Sequence, residues 1–97
     1  MPLNDQEFRQ HKRVTFTTRA PLAVDSASGA IIENSSTFDI SEAGVRLQLR
    51  GQIVPGQIVD VFLSKPPERC RVVWTTPASV SSELTAGLEF IRPLPEP

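Results

Sequence analysis

Two apolar segments of the chain are joined by the stretch Asp39-Ile40-Ser41-Glu42-Ala43-Gly44. After it, Val45, Leu47 and Leu49 alternate with polar residues, a pattern typical of a half-buried strand. Asp and Ser side chains hydrogen-bond nearby backbone N–H groups, and Gly tolerates positive φ, so the stretch predicts a turn between two strands. The same groups would offer a ligand a carboxylate, a hydroxyl and a backbone without a Cβ.

The rest of the chain also divides into short strands separated by turn signals. Before the turn, strands are predicted at Val14–Val24 and Ala30–Phe38, and we expect them to form a hairpin. After it come strands at about 45–49, 57–64, 69–76 and 86–91. Six short strands with frequent turns predict an all-β barrel or sandwich, and closing the sheet is the economical way for so small a domain to hide its edges.

The alternation within the last two strands predicts which side chains face the core. In the fifth strand, Cys70, Val72 and Trp74 are two residues apart, so we expect them on one face. In the sixth, Leu88 and Phe90 are expected to point inward. Core packing is the simplest role for Cys70 and Trp74, although a Trp at the rim of a barrel could also stack on a base.

Length, charge and composition exclude several classes of protein. The chain has 97 residues, which is one domain, and a net charge of -1, which argues against a general nucleic-acid binder. No apolar run approaches membrane-spanning length, and the polar start of the chain does not resemble a secretory signal. With one Cys and one His, no disulfide and no structural zinc site are expected, and a reducing cytoplasm is the simplest location.

Two polar motifs are expected to meet at one rim of the sheet. Arg9-x-x-x-Arg13 precedes the first predicted strand, and Asp39-x-Ser41-x-x-Gly44 follows the second. In a hairpin, the beginning of one strand lies beside the end of the other, so guanidinium groups would face a carboxylate and a hydroxyl. Arginine engages the O6/N7 edge of guanine or a phosphate with two parallel bonds, and a carboxylate accepts from the N1–H and N2–H₂ donors of guanine.

In these motifs and their order the chain resembles the PilZ domain family. The resemblance covers about residues 9–91 and includes the run from Asp39 to Leu47 and the closing Gly87-Leu88-Glu89-Phe90-Ile91. It implies a six-stranded antiparallel β-barrel and a bacterial, cytoplasmic receptor for cyclic di-GMP. In such receptors the arginine pair lies on a mobile N-terminal segment that wraps over the ligand.

The resemblance implies a site and a division of the chain. The ligand-binding residues would be Arg9, Arg13, Asp39, Ser41 and Gly44, and Lys12, Arg46 and Trp74 are second-tier candidates. Residues 1–12 would be a flexible switch segment carrying the arginine motif, residues 13–92 the barrel, and residues 93–97 a Pro-rich tail without the long C-terminal helix of many family members.

The expected output is a protein contact, relayed by the N-terminal segment to an unidentified partner. An alternative is a PilZ-type adaptor that binds protein without a ligand, as relatives lacking the binding residues do. No nucleophile–base pair or metal set is evident in the sequence, so an enzyme is not expected. We expect a monomer that uses no cofactor and no metal, binds no nucleic acid and does not insert into a membrane.

Overall fold

The computed structural model describes residues 12–25, 29–77 and 83–92, and this part of the chain contains eight strands and no helix. Each strand runs antiparallel to its neighbours, and the order across the single sheet is β1-β4-β5-β8-β7-β6-β2-β3. The all-β, antiparallel fold class is therefore confirmed. The strands are β1 (Val14–Thr15), β2 (Leu22–Asp25), β3 (Ala30–Ile32), β4 (Ser35–Ile40), β5 (Gly44–Leu49), β6 (Ile58–Val61), β7 (Glu68–Pro77) and β8 (Leu84–Phe90).

The strand count differs from the predicted six because two predicted strands are each divided. The first, Val14–Val24, becomes β1 and β2, and the division reflects a change of partner at Pro21. Before it, the Ala20 N–H donates to Ser35 in β4, 2.9 Å away; after it, the Pro21 carbonyl accepts from Phe62 beside β6, also at 2.9 Å. Proline has no N–H to give to a ladder, so it fits the point of exchange.

The second divided strand is the predicted Ala30–Phe38, which becomes β3 and most of β4. At the break, the Ser35 N–H donates to the Glu33 carbonyl 3.1 Å away, and the Asn34 carbonyl accepts from Arg50 at 2.9 Å. These bonds replace regular pairing over two residues. The predicted hairpin is present on both sides of the break, since β2 pairs with β3 and β1 pairs with β4.

The sheet is curled but is not a closed barrel, because β1 and β3 are its two ends. The segment 14–25 nevertheless bonds to β4 in its first half and to β6 in its second. It therefore bends one end of the sheet toward the other. The core lies inside this curl and contains Ala20, Leu22, Val45, Leu47, Leu49, Ile53, Val59, Val61, Cys70, Val72, Ala86 and Leu88, each at most 2% exposed.

Alternation in β5 and β8 follows the prediction. Val45, Leu47 and Leu49 are buried, and Leu88 is fully buried with Phe90 packed against the core. Cys70 also lies in the core, where burial is the main cause that raises the pKa of its thiol to about 12. A buried thiol with such a pKa is not a nucleophile, so Cys70 is a packing residue.

The prediction that Trp74 shares the inner face with Cys70 and Val72 is wrong. Val72 is opposite Leu88, but Trp74 is opposite Gly87, so two residues of β7 fit against one of β8. This is a β-bulge at Val73, and an extra residue shifts all following side chains to the other face. Trp74 therefore lies on the outer face of the sheet, half-buried.

Two expectations from the sequence fall outside the described residues. The switch segment was expected at residues 1–12, of which the structure describes Lys12 alone, and the Pro-rich tail was expected at residues 93–97. Both, and the domain boundaries that depend on them, stay predictions.

Two valines allow a matched test of the core. Val59 is 1% exposed and Val54 is 59% exposed. Val59→Ala removes two buried methyl groups and should lower the free energy of unfolding by about 2 kcal/mol. Val54→Ala should change it by less than about 0.5 kcal/mol. Urea denaturation of the two variants measures the difference, and equal losses would contradict the assignment of Val59 to the core.

Candidate functional site

Arg13 contacts both polar side chains of the predicted turn motif. The register of β1 with β4 places Val14 opposite Ile40 and Thr15 opposite Asp39. Arg13, one residue before β1, then reaches across the end of the pair. Its Nε donates to Asp39 Oδ1 at 2.6 Å, and its Nη1 donates weakly to Ser41 Oγ at 3.4 Å. The hairpin argument from the sequence thus correctly brings these three residues together.

Arg46 holds Asp39 from the opposite side. It lies in β5, directly opposite Asp39. Its Nε is 2.9 Å from both Oδ1 and Oδ2 of Asp39, and its Nη2 also donates to Oδ2. This is a two-point ion pair, the strongest geometry available to arginine and a carboxylate.

A bulge in β4 makes the Asp39–Arg46 contact possible. Thr37 is opposite Leu47 and points into the core, while Asp39 is opposite Arg46, so Phe38 is the extra residue. Without the bulge, Asp39 would point inward like Thr37, two residues before it. Instead its carboxylate lies on the outer face, with the side chain 12% exposed.

The two arginines keep Asp39 ionised. Burial is the largest single effect and raises the pKa of its carboxyl, but hydrogen bonds from Arg46 and Arg13, together with their charges, leave the pKa below its ordinary value. In return, the hydrogen bond to Asp39 raises the pKa of Arg46. Asp39 is therefore a fixed negative charge at neutral pH, partly removed from solvent.

Ser41 and Gly44 shape the turn between β4 and β5. Ser41 Oγ accepts from the N–H groups of Ala43 at 3.1 Å and Gly44 at 3.3 Å, and the Ser41 N–H donates to the Gly44 carbonyl at 2.8 Å. Gly44 is buried at the start of β5. Positive φ occurs at Gly29 and Gly56 and not at Gly44, so the turn does not depend on a left-handed glycine here.

Trp74 lies further along the same face. Cross-strand pairing connects Asp39 to Arg46, Arg46 to Gly87, and Gly87 to Trp74, and we call these four residues the outer row. The row spans three strand spacings, about 14 Å. The indole ring covers Gly87 so closely that a Cβ there would overlap it, and the buried Nε1 has no hydrogen-bond partner among the described residues.

Lys12 borders a shallow cavity beside the turn. The cavity has a volume of about 540 Å³ and is lined by Lys12, Val14, Ile40, Ser41 and Glu42. Lys12 is exposed, so its ammonium group remains in solvent at the rim. The structure therefore gathers Arg13, Asp39, Ser41 and Arg46, with Lys12 nearby and Trp74 at the far end of the row. Arg9 lies outside the described residues.

Sequence reasoning missed two features of this face. The first is the contact between Gly87 and the indole of Trp74. A glycine within a strand often marks the close approach of another group, so the sequence did contain an indication of this contact. Glu89, two residues later, is 5% exposed and pairs with Arg71 at 2.9 Å. It is opposite Gly44 in the sheet, so a second carboxylate–arginine pair lies next to the turn.

Comparison with protein-family models identifies a family for the chain. The family model described as "PilZ domain" matches residues 7–97, nearly the whole chain. No curated protein matches it. In the part of the chain that the structure describes, no group of three or more His, Cys, Asp or Glu side chains could hold a metal ion, and no helix is long and apolar enough to cross a membrane.

Gly87→Ala should displace the indole of Trp74 from the sheet, because the added methyl group occupies its position. Trp74 is the only Trp of the chain, so its fluorescence emission reports on this site alone. We expect a shift of the emission to longer wavelength and a stability loss of about 1–3 kcal/mol. The control is Thr85→Ala, on the same face two residues earlier, which should leave the spectrum unchanged. An unchanged spectrum for Gly87→Ala would contradict the packing.

Proposed function

Because the chain belongs to the PilZ domain family, we propose that it is a receptor that binds cyclic di-GMP through its two motifs. The family consists generally of cyclic di-GMP receptors. The observation that carries the proposal for this chain is the convergence of Arg13, Arg46, Asp39 and Ser41 on one patch of the outer face. No catalytic step is proposed, since the role is to bind and signal.

The chemistry of the patch suits a guanine attached to phosphate. Asp39 is an ionised acceptor for the N1–H and N2–H₂ donors of guanine, and adenine offers no such pair. Arg13, with Arg9, supplies planar guanidinium groups for the phosphates and the O6/N7 edge. Ser41 adds one adaptable hydroxyl, and Gly44 shapes the turn.

The second-tier residues take peripheral roles in this proposal. Lys12, at the rim of the cavity beside Ser41, adds positive charge for a phosphate. The indole of Trp74 lies over Gly87, two strand spacings or about 10 Å from Asp39, so it does not lie beside the base edge that Asp39 holds. It would instead offer its exposed side to the second guanine of the ligand. Arg46 remains beside Asp39.

The proposed output is a change in the protein surface. Pinning residues 1–12 over the bound ligand would present a different surface to a partner protein in the bacterial cytoplasm. Ordering each residue of such a segment costs about 1–2 kcal/mol, while each hydrogen bond to a charged group contributes roughly 1.5–3 kcal/mol. Several arginine contacts therefore offset the ordering of a few residues, which gives an affinity on the order of micromolar or somewhat tighter.

A ligand-independent adaptor is the second candidate, and a patch of exposed apolar side chains favours it. Val14 is 53% exposed, Phe16 39% and Phe38 42%, and the Phe16 N–H donates to the Phe38 carbonyl at 3.0 Å, so the two phenylalanines are neighbours. Such a patch suits a protein contact. It is compatible with the receptor as well, because the receptor also needs a surface for its partner.

Thermal denaturation with and without ligand separates the two candidates. A ligand that binds the native state raises the melting temperature in proportion to the logarithm of its concentration once it exceeds the dissociation constant. We expect cyclic di-GMP to raise it and cyclic di-AMP, the matched control, to leave it unchanged. If cyclic di-GMP at about a hundred times a micromolar dissociation constant, on the order of 0.1 mM, has no effect, the adaptor is the better description.

Arg13→Ala should weaken cyclic di-GMP binding by about tenfold to a hundredfold, because it removes one or more charged hydrogen bonds. The control is Arg69→Ala, which removes the same charge from a side chain that is 62% exposed and paired with Asp60. Isothermal titration calorimetry measures both. Equal affinity of the parent protein and Arg13→Ala would exclude the proposed contact, and for the parent we also expect weaker binding as salt is added.

A further inference from the structure

Asp39 has little hydrogen-bonding capacity left for a ligand. A carboxylate has about four acceptor sites. Three N–H groups already occupy them: Arg13 Nε donates to Oδ1, Arg46 Nε is shared between Oδ1 and Oδ2, and Arg46 Nη2 donates to Oδ2. About one acceptor site is left, whereas the N1–H and N2–H₂ donors of a guanine need two, so a guanine that binds Asp39 with both must replace one of the two arginines.

The two arginines are held differently. Arg46 is in the middle of β5, between β4 and β8, and it meets both oxygens of Asp39. Its Cα is fixed by ladders on both sides. Arg13 precedes β1, the last strand at one end of the sheet, and it meets one oxygen of Asp39 and one hydroxyl, that of Ser41. Asp39 and Ser41 are the groups that a guanine would use.

We propose that Arg46 is a positioning residue, the permanent partner that keeps Asp39 ionised and oriented, and that Arg13 is the exchangeable partner that the ligand replaces at Asp39 and Ser41. This assignment rests on the proposed function. It changes the role expected for Arg46 from a ligand contact to a residue that acts through Asp39. It also gives Arg13 two successive tasks, since once displaced it is available to a phosphate.

The charges around Asp39 support this division. Arg13 faces it from the β1 side and Arg46 from β5, while the other near neighbours, Thr15 and Ser41, are neutral. Lys12 and Glu42 border the adjacent cavity. If Arg13 leaves, Arg46 is the remaining cation among the described residues that offsets the burial of the carboxylate. Without Arg46, burial would act against a lone charge, and a proton would neutralise Asp39 at a higher pH.

The first test needs no ligand. NMR titration of the Asp39 carboxyl carbon in the 97-residue protein gives its pKa directly. Arg46→Met keeps an unbranched, flexible side chain, although a shorter one, and removes the charge, so it should raise the Asp39 pKa, and Arg46→Lys should largely restore the lowered value. Arg50→Met, which removes an exposed arginine four residues along from Arg46 and paired with Glu83, is the control and should change nothing. An unchanged Asp39 pKa in Arg46→Met overturns the proposal.

The second test compares the pH dependence of binding. In the parent, the two arginines hold the Asp39 pKa below its ordinary value, so lowering the pH from 7.5 to 5 leaves the carboxylate ionised. In Arg46→Met, the Asp39 pKa is higher than in the parent, so affinity for cyclic di-GMP should fall more steeply than that of the parent as the pH is lowered. His11 is present in both proteins, so any effect of His11 on the pH dependence of binding cancels in the ratio of their affinities. Parallel profiles overturn the proposal.

The third test follows the arginine Nε–H signals during titration with cyclic di-GMP. The Arg13 signal should move, because its contacts change, and the Arg46 signal should stay close to its original position. Equal movement of both, or movement of Arg46 alone, would make Arg46 a ligand contact and overturn the assignment. If the parent does not bind cyclic di-GMP at all, the proposed function itself is wrong. If the parent binds it but the pH profiles of parent and Arg46→Met are parallel, the proposed function stands and only the roles assigned to Arg13 and Arg46 are wrong.

Discussion

A single carboxylate, that of Asp39, is balanced by guanidinium groups that reach it from both sides of β4. Arg13 lies just before β1 and Arg46 lies in β5, so three neighbouring segments share one ionic contact. The carboxylate is mostly removed from solvent, and burial alone would favour its neutral form. The charge of this face, the turn that follows β4 and the placement of Arg13 therefore depend on one another.

Two bulges place the ends of the outer row on the solvent side of the sheet. Strict alternation would point Asp39 inward with Thr37, and Trp74 inward with Val72. An extra residue at Phe38 turns Asp39 outward, and another at Val73 does the same for Trp74. Each bulge interrupts a ladder, which weakens pairing locally. The sheet thus carries two local irregularities, and each re-aims a side chain of the row.

The sequence was sufficient for the parts of the fold that depend on local pattern. The alternation from Val45 to Leu49 gave β5 correctly, and the hairpin argument brought Arg13 to Asp39. The bulges were not predictable, because Phe38 and Val73 are ordinary strand residues and nothing local marks either as the extra one. The predicted number of strands was wrong at Pro21, because the chain there changes its pairing from β4 to β6, and both partners are far away in the sequence. Pairing between distant strands, and not local preference, decided these features.

Cys70 has a practical consequence for studying the molecule. It is the only cysteine of the chain, it is fully buried, and its thiol ionises only at strongly alkaline pH. Maleimide dyes react with accessible thiolates, so we expect the folded protein to react with them very little. A cysteine introduced at any exposed position would become the single attachment point for a fluorophore or spin label, without removal of the native residue from the core.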